Sequence, residues 1–233
     1  MVIPALDEEA ALGPVLEQVD RAIVDSIVVA DNGSADRTAE VARAGGAIVV
    51  HEPRRGYGSA CLRALREGPQ ADLVVFMDGD GSSDPREIER LLEALLDRDA
   101  DLVIGSRTLG ASEKGALTPV QSMGNTLVCW LVRRLWDVSY TDLGPFRAIR
   151  REALERLHMS DPDFGWTIEM QVKAAQLGLR TADVPATSRT RRAGRSKVSG
   201  TIVGSFRAGK SILGYVLEAR LNEIMRRGAA PGR

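Results

Sequence analysis

Residues 72–107 read "DLVVFMDGDGSSDPREIERLLEALLDRDADLVIGSR". The apolar, β-branched run from Leu73 to Met77 predicts a buried strand. It ends on two aspartates, Asp78 and Asp80, one residue apart among glycines. Asp84 then reads as a helix N-cap with Pro85 at the first helical position, and the leucines that follow recur at i, i+3 and i+4. "ADLVIGSR" is the next strand. Upstream the pattern repeats. "SIVVADNGS" and "AIVVHEP" read as strands. "SADRTAEVARAGG", with Ser34 or Asp36 as N-cap, and "GSACLRALREG" read as helices. Repeated strand–helix–strand units predict an α/β, Rossmann-like domain with a mostly parallel sheet covered on both faces. Such sheets bind ligands at the carboxyl ends of their strands. Asp31, Asp78 and Gly105 all fall just beyond such ends.

The second half is less regular. "GNTLVCWLVRRLW" and "GWTIEMQVKAAQLG" read as helices, "YTDLGPFRAIRREALERL" as a loop or strand leading into a helix, and "LRTADVPATSRT" as a late strand. The basic, glycine-bearing loop "RRAGRSKVSGT" follows, then an amphipathic helix from about Thr201. The boundaries expected are a main domain at 1–200 and a helical tail at 201–233. A length of 233 residues fits that single domain. A net charge of -1 gives no case for nucleic acid as a partner. Cys61 and Cys129 lie in apolar helical contexts and read as small buried hydrophobes, and reduced thiols fit the cytoplasm. No run is long and apolar enough to predict a spanning helix, and "MVIP" does not read as a signal peptide. His51 and His158 have no catalytic-looking company.

Two like charges ending a strand repel unless something offsets them. A divalent cation does so, since Mg2+ or Mn2+ takes carboxylate oxygens and keeps positions for phosphate oxygens. Asp-Gly-Asp alone is equally a solvated turn. Its company decides: "VIPALDEEAAL", "VVADNGSADRTAEVA", "RRGYGSACLRAL", "MDGD" and "VIGSR" come in order, followed by "DLGPFRAIRREAL", "GWTIEMQVKAA" and "RRAGRSKVSGT". Together they resemble glycosyltransferase family 2, in its dolichol-phosphate and polyprenyl-phosphate mannosyl- or glucosyltransferase branch.

The resemblance implies a GT-A fold and inverting transfer of a hexose from a nucleoside diphosphate sugar, with Mg2+ or Mn2+ as cofactor. Pro4, Ala5, Asp7 and Glu8 match the turn that lines the nucleoside pocket, with Asp7 standing where asparagine is common. Asp31 matches the acid that meets base and ribose, and also fits an Asx-turn. Gly56 and Gly58 match a segment running beside the donor. Asp78, Gly79 and Asp80 match the metal motif, Asp80 foremost as direct ligand. The "GSSDP" that follows departs from the "QHPP"-like continuation of the mannosyl branch, which leaves the sugar open. Arg191, Gly194, Ser196 and Lys197 match "RxxGxSK". With Arg192, this loop would bind the donor diphosphate or an acceptor phosphate. Asp142 is the expected base for a hydroxyl acceptor, or the residue that orients a phosphate acceptor, though the spacing to Phe146 is one residue short. Glu169 matches an acid on the acceptor side; its alternative is a salt bridge to the basic loop.

The expected acceptor is a polyprenyl phosphate met at the inner face of the membrane, with peripheral attachment. The C-terminal helix would lie on that surface, pack on its own domain or pair with a second copy as a homodimer. Transfer to a soluble hydroxyl and a nucleotidyltransferase activity are the alternatives. The acidic "ALDEEAAL", where a nucleotidyltransferase carries a basic glycine-rich loop, weighs against the latter. Asp31, Asp78, Asp80 and Lys197 together weigh against an inert binding module.

Overall fold

The computed structural model describes residues 1–191 and a helix at 202–228, with side chains of that helix described at 209 and 211–226. Among the described residues, seven strands form one sheet: β1 (Val2–Ala5), β2 (Val28–Asp31), β3 (Ile48–His51), β4 (Leu73–Phe76), β5 (Leu102–Ser106), β6 (Arg147–Arg150) and β7 (Thr181–Pro185). Their spatial order is β3-β2-β1-β4-β6-β5-β7. β1, β2, β3 and β4 run parallel, as do β5 and β7. β6 alone runs against its neighbours β4 and β5. The mostly parallel sheet expected from the sequence is therefore present, with one reversed strand that the sequence did not indicate.

Side chains alternate across the strands, and the two sets bury under different helices. Val2, Val28, Val74, Phe76, Leu102, Ile104 and Ile149 share one apolar cluster. It is covered by α3 (Tyr57–Glu67), α5 (Pro119–Trp136), α6 (Arg151–Leu157), α7 (Trp166–Gln176) and α8 (Ile202–Gly228). Ile3, Ala5, Val29, Val75, Val103, Ala148 and Val184 face the other cluster, under α1 (Glu9–Glu17), α2 (Thr38–Ala44) and α4 (Ile88–Asp97). Both cysteines are free and buried, as expected. Burial pushes the Cys129 thiol up to about 12, which removes thiolate chemistry at neutral pH.

Two helix starts differ from expectation. The helix carrying Trp130 begins at Pro119, not near Gly124, because Thr118 and Gln121 form a reciprocal capping box ahead of it. α2 begins at Thr38, where the Asp36 carboxylate accepts from the Thr38 N–H at 2.9 Å. Ser34 instead accepts from the Asp7 N–H at 3.0 Å, tying two loops together. Among the described residues no helix is long and apolar enough to cross a membrane.

Candidate active site

The chain order reverses direction in the sheet between β1 and β4, which places a crevice at their carboxyl ends. β1 pairs with β4 only at Val2 and Phe76. From there the two strands part, and Pro4, which has no N–H to offer β4, lies where the pairing stops. Asp7 and Glu8 follow β1, and Asp78 and Asp80 follow β4, so both acidic turns flank the same crevice.

The first turn is tightly laced. Asp7 adopts a positive φ of 51°, and its carboxylate accepts from the Ala35 N–H at 2.8 Å. Asp31, at the end of β2, accepts from the Ser34 N–H at 3.0 Å, a bond three residues on where the expected Asx-turn would reach two. Its other oxygen lies 3.4 Å from His51 Nδ1, so His51 has a partner that the sequence did not suggest. Asn32 reaches the next loop: its amide donates to the carbonyls of Glu52 and Arg54, and its oxygen accepts from the Gly56 N–H.

Asp78 is half-buried, but its Oδ1 is shielded from solvent and lacks a hydrogen-bond partner among the described residues, and the Tyr57 hydroxyl bonds to the carboxyl. Desolvation, then the charge of Asp80, pushes its pKa up to about 7. Asp80 is nearly buried, and its Oδ1 accepts from the Ser82 N–H at 2.9 Å. Arg191 approaches Asp80 Oδ2 at 3.5 Å and also pairs with Glu8. Among the described residues no group of three His, Cys, Asp or Glu side chains is arranged to hold a metal alone. A close carboxylate pair with one unpartnered buried oxygen fits a hard cation that draws its remaining ligands from a donor diphosphate and water.

The glycines have packing reasons. A Cβ on Gly58 would lie 1.9 Å from the Asp161 carbonyl oxygen, and one on Gly56 2.1 Å from that of Pro162. Their close approach is thus to the 161–162 backbone, where the sequence led us to expect a donor. A Cβ on Gly79 would press on Ile3 and Leu12 at 3.1 and 3.2 Å.

Asp142 is fully buried and fully engaged. Its Oδ2 accepts from the Arg107 backbone N–H at 2.8 Å and Nε at 2.7 Å, and its Oδ1 accepts from the other arm of the guanidinium at 2.7 Å. Burial alone would lower the Arg107 pKa; the hydrogen bonds and charge of Asp142 outweigh it and raise it. The loop around Asp142 is held from every side. Gln171 donates to the Asp142 carbonyl at 3.0 Å, Asn125 accepts from the Leu143 N–H at 2.8 Å, and buried Arg147 donates to the carbonyls of Leu143 and Gly144. Glu169 is also buried. It accepts from the N–H groups of Ser160 and Asp161 and pairs with Lys173 at 2.7 Å. Glu169 thus has a salt-bridge partner on its own helix; the basic loop expected as its partner lies, from Arg192 onward, outside the described residues. Arg192, Ser196 and Lys197 lie outside the described residues.

Sequence reasoning missed Tyr57, Arg107 and Asn125. Arg107 had a usable signal: it directly follows a strand on the ligand-binding edge. Arg189 was also missed; it pairs with Asp84 and donates its N–H to Ser82, so the segment after β7 is strapped across the carboxylate loop and delivers Arg191 to it.

A family model for glycosyl transferase family 2 matches residues 1–158. The chain belongs to that family. An uncharacterized glycosyltransferase of Mycobacterium tuberculosis is 38% identical over 88% of this chain and 91% of its own length. The undecaprenyl-phosphate mannosyltransferase of Micrococcus luteus is 33% identical over 87% of this chain and 88% of its own. The dolichyl-phosphate hexose transferase of Haloferax volcanii is 33% identical over 95% of both chains. Among solved structures, glucosyl-3-phosphoglycerate synthase from Mycobacterium tuberculosis, in complex with Mn2+, UDP-glucose and phosphoglyceric acid, superposes with a TM-score of 0.74. It is 26% identical, over 94% of this chain and 78% of that one. The fold is that of these family 2 enzymes, and the protein is a glycosyltransferase.

Proposed function

We propose that this family 2 enzyme transfers a hexose, with inversion, from a nucleoside diphosphate sugar to a polyprenyl phosphate. The observation that carries the choice of acceptor is the state of Asp142. A hydroxyl acceptor needs a base to take its proton. The carboxylate expected to do so is buried in a bidentate pair with Arg107. A phosphate acceptor is already anionic and attacks the anomeric carbon without that proton transfer. The two polyprenyl-phosphate relatives, matched over most of their length, support the same reading.

Asp78 and Asp80 would hold Mg2+ or Mn2+, which when bound neutralises charge developing on the leaving nucleoside diphosphate. The other roles belong to the chain. Asp31 and the Asp7–Glu8 turn line the nucleoside end of the crevice. Arg191 supplies a cation at the diphosphate end, aided by Arg192, Ser196 and Lys197. The Arg107–Asp142 pair fixes the loop on the acceptor side. Attachment to the cytoplasmic membrane surface would bring the lipid phosphate within reach.

The second reading is transfer to a soluble acceptor, favoured by the glucosyl-3-phosphoglycerate synthase structure, whose bound ligands include phosphoglyceric acid. Incubation with UDP-glucose or GDP-mannose, Mn2+, and either a polyprenyl phosphate or phosphoglyceric acid separates the two. Metal-dependent nucleoside diphosphate release with a glycolipid product is expected. Release only with the soluble acid overturns the lipid reading, and release of pyrophosphate points to nucleotidyl transfer.

A further inference from the structure

Outside the site, the most unusual surface is the outer face of α5. Val120, Met123, Leu127 and Trp130 are exposed by 68%, 73%, 46% and 58%. Their spacing of three, four and three residues puts them on one stripe. That stripe lies opposite Val128, Cys129 and Val132, which bury into the core. A helix of a globular protein ordinarily has one apolar face, and a second, contiguous one marks a binding surface.

The charges say what it meets. α5 carries Arg133 and Arg134 and no acidic residue from Pro119 to Trp136; the first acid is Asp137 at its C-cap. Trp130, Arg133, Arg134 and Asp137 line a hollow of about 420 Å³ at the end of the stripe. Arg133 and Arg134 outnumber Asp137 in that lining, so a second copy meeting the patch with the same patch would bring one net positive surface against another. An anionic headgroup supplies that charge, acyl chains cover the aliphatic side chains, and tryptophan favours the boundary between them.

We infer that the outer face of α5 docks the enzyme on an anionic lipid bilayer. The inference rests on the lipid-acceptor reading for its purpose, and the surface on its own residues. Docking there has a direct consequence for the site. Asn125, on the inner side of the same helix, accepts from the Leu143 N–H at 2.8 Å and donates to the Thr141 carbonyl at 3.2 Å. One helix therefore touches the membrane with one side and holds the Asp142 loop with the other.

The test is co-sedimentation of the full chain with phosphatidylglycerol-containing and pure phosphatidylcholine vesicles, for wild type and the double variant Met123→Glu/Trp130→Glu. Both side chains are exposed, so the thermal midpoint should not move. Wild type is expected to bind the anionic vesicles at low salt, and the variant to bind at least ~tenfold more weakly. Wild type remaining in the supernatant, or equal binding by the variant, overturns the inference. So does a variant that converts a dimer to a monomer by light scattering while vesicle binding persists, since the stripe is then a contact between copies. Turnover on a short, water-soluble polyprenyl phosphate tests the function separately. Activity there without vesicle binding removes the docking surface and keeps the acceptor; vesicle binding without such activity supports the surface and removes the acceptor.

Discussion

Asp78 is held where an isolated carboxylate is expensive. Its Oδ1 is shielded from solvent and finds no donor among the described residues, and the charge of Asp80 stands beside it. Removing its charge should therefore raise the stability of the metal-free protein while removing its function, the usual relation at a site built for a ligand. We expect Asp78→Asn to stabilise the metal-free fold by about 2 kcal/mol at pH 8 and to abolish Mn2+-dependent transfer, read by urea unfolding and nucleoside diphosphate release. A variant less stable than wild type without metal would show that the pair is not strained. Arg107 makes the opposite case, since its fork matches Asp142 with two arms and the backbone. Arg107→Met leaves Asp142 buried and unpaired and should cost about 3 kcal/mol. Adding Asp142→Asn should recover much of that loss, and a double variant no better than the single would mean the two side chains act separately. The aspartates at strand ends could be read from the sequence because each follows an apolar run. The Arg107–Asp142 pair could not. Thirty-five residues separate its members, and they meet only because β6 runs antiparallel between β4 and β5. That reversal puts the loop before β6 at the carboxyl end of β5, and the four residues "RAIR" carry no signal of direction.

At the scale of elements, the start of α3 shows how packing overrides local preference. Replacing a glycine inside a helix by alanine ordinarily stabilises it by about 1 kcal/mol. At Gly58 the added Cβ would lie 1.9 Å from a backbone oxygen of the 161–162 segment. That segment cannot move freely, because the N–H groups just before it, Ser160 and Asp161, are held by Glu169. Gly58→Ala should therefore destabilise by roughly 2–3 kcal/mol, in the range of overpacked sites. It should also weaken donor binding, because Tyr57, which bonds to Asp78, moves with the helix start. Unchanged urea midpoint and donor affinity would show that the loop yields. The periodicity of α3 and α4 made both helices readable; the expected N-cap Asp84, with Pro85, opens a short 3-10 turn, Pro85–Glu87, that leads into α4. The long reach from Glu169 through 160–162 to α3 was not readable, since a fully buried glutamate reads in sequence like any exposed one.

At the scale of the molecule, the question is whether α8 is an appendage or part of the core. The sequence left three partners open for it: its own domain, a second copy or a membrane. Within the structure its Val216 is fully buried, and Ile212, Leu213, Tyr215 and Ala219 join the cluster under α5 and α7. Trp136 of α5 donates its indole N–H to Glu223 at 2.7 Å. Its described outer side still shows Leu217, Leu221, Ile224 and Met225, so packing on the domain leaves a second face uncommitted. Deleting the segment from Thr201 onward would strip a cover from α5 and α7 as well as removing an outer face, and so cannot by itself assign membrane binding to the tail. A point substitution separates the two. Val216→Asp places a charge in the cluster with no partner and should lower stability by at least ~3 kcal/mol, with early proteolytic loss of the helix. Leu221→Glu, on the exposed side, should leave stability within about 0.5 kcal/mol of wild type. If Val216→Asp proves as stable and as protease-resistant as wild type, α8 is an independent tail and its contact with α5 carries little of the fold.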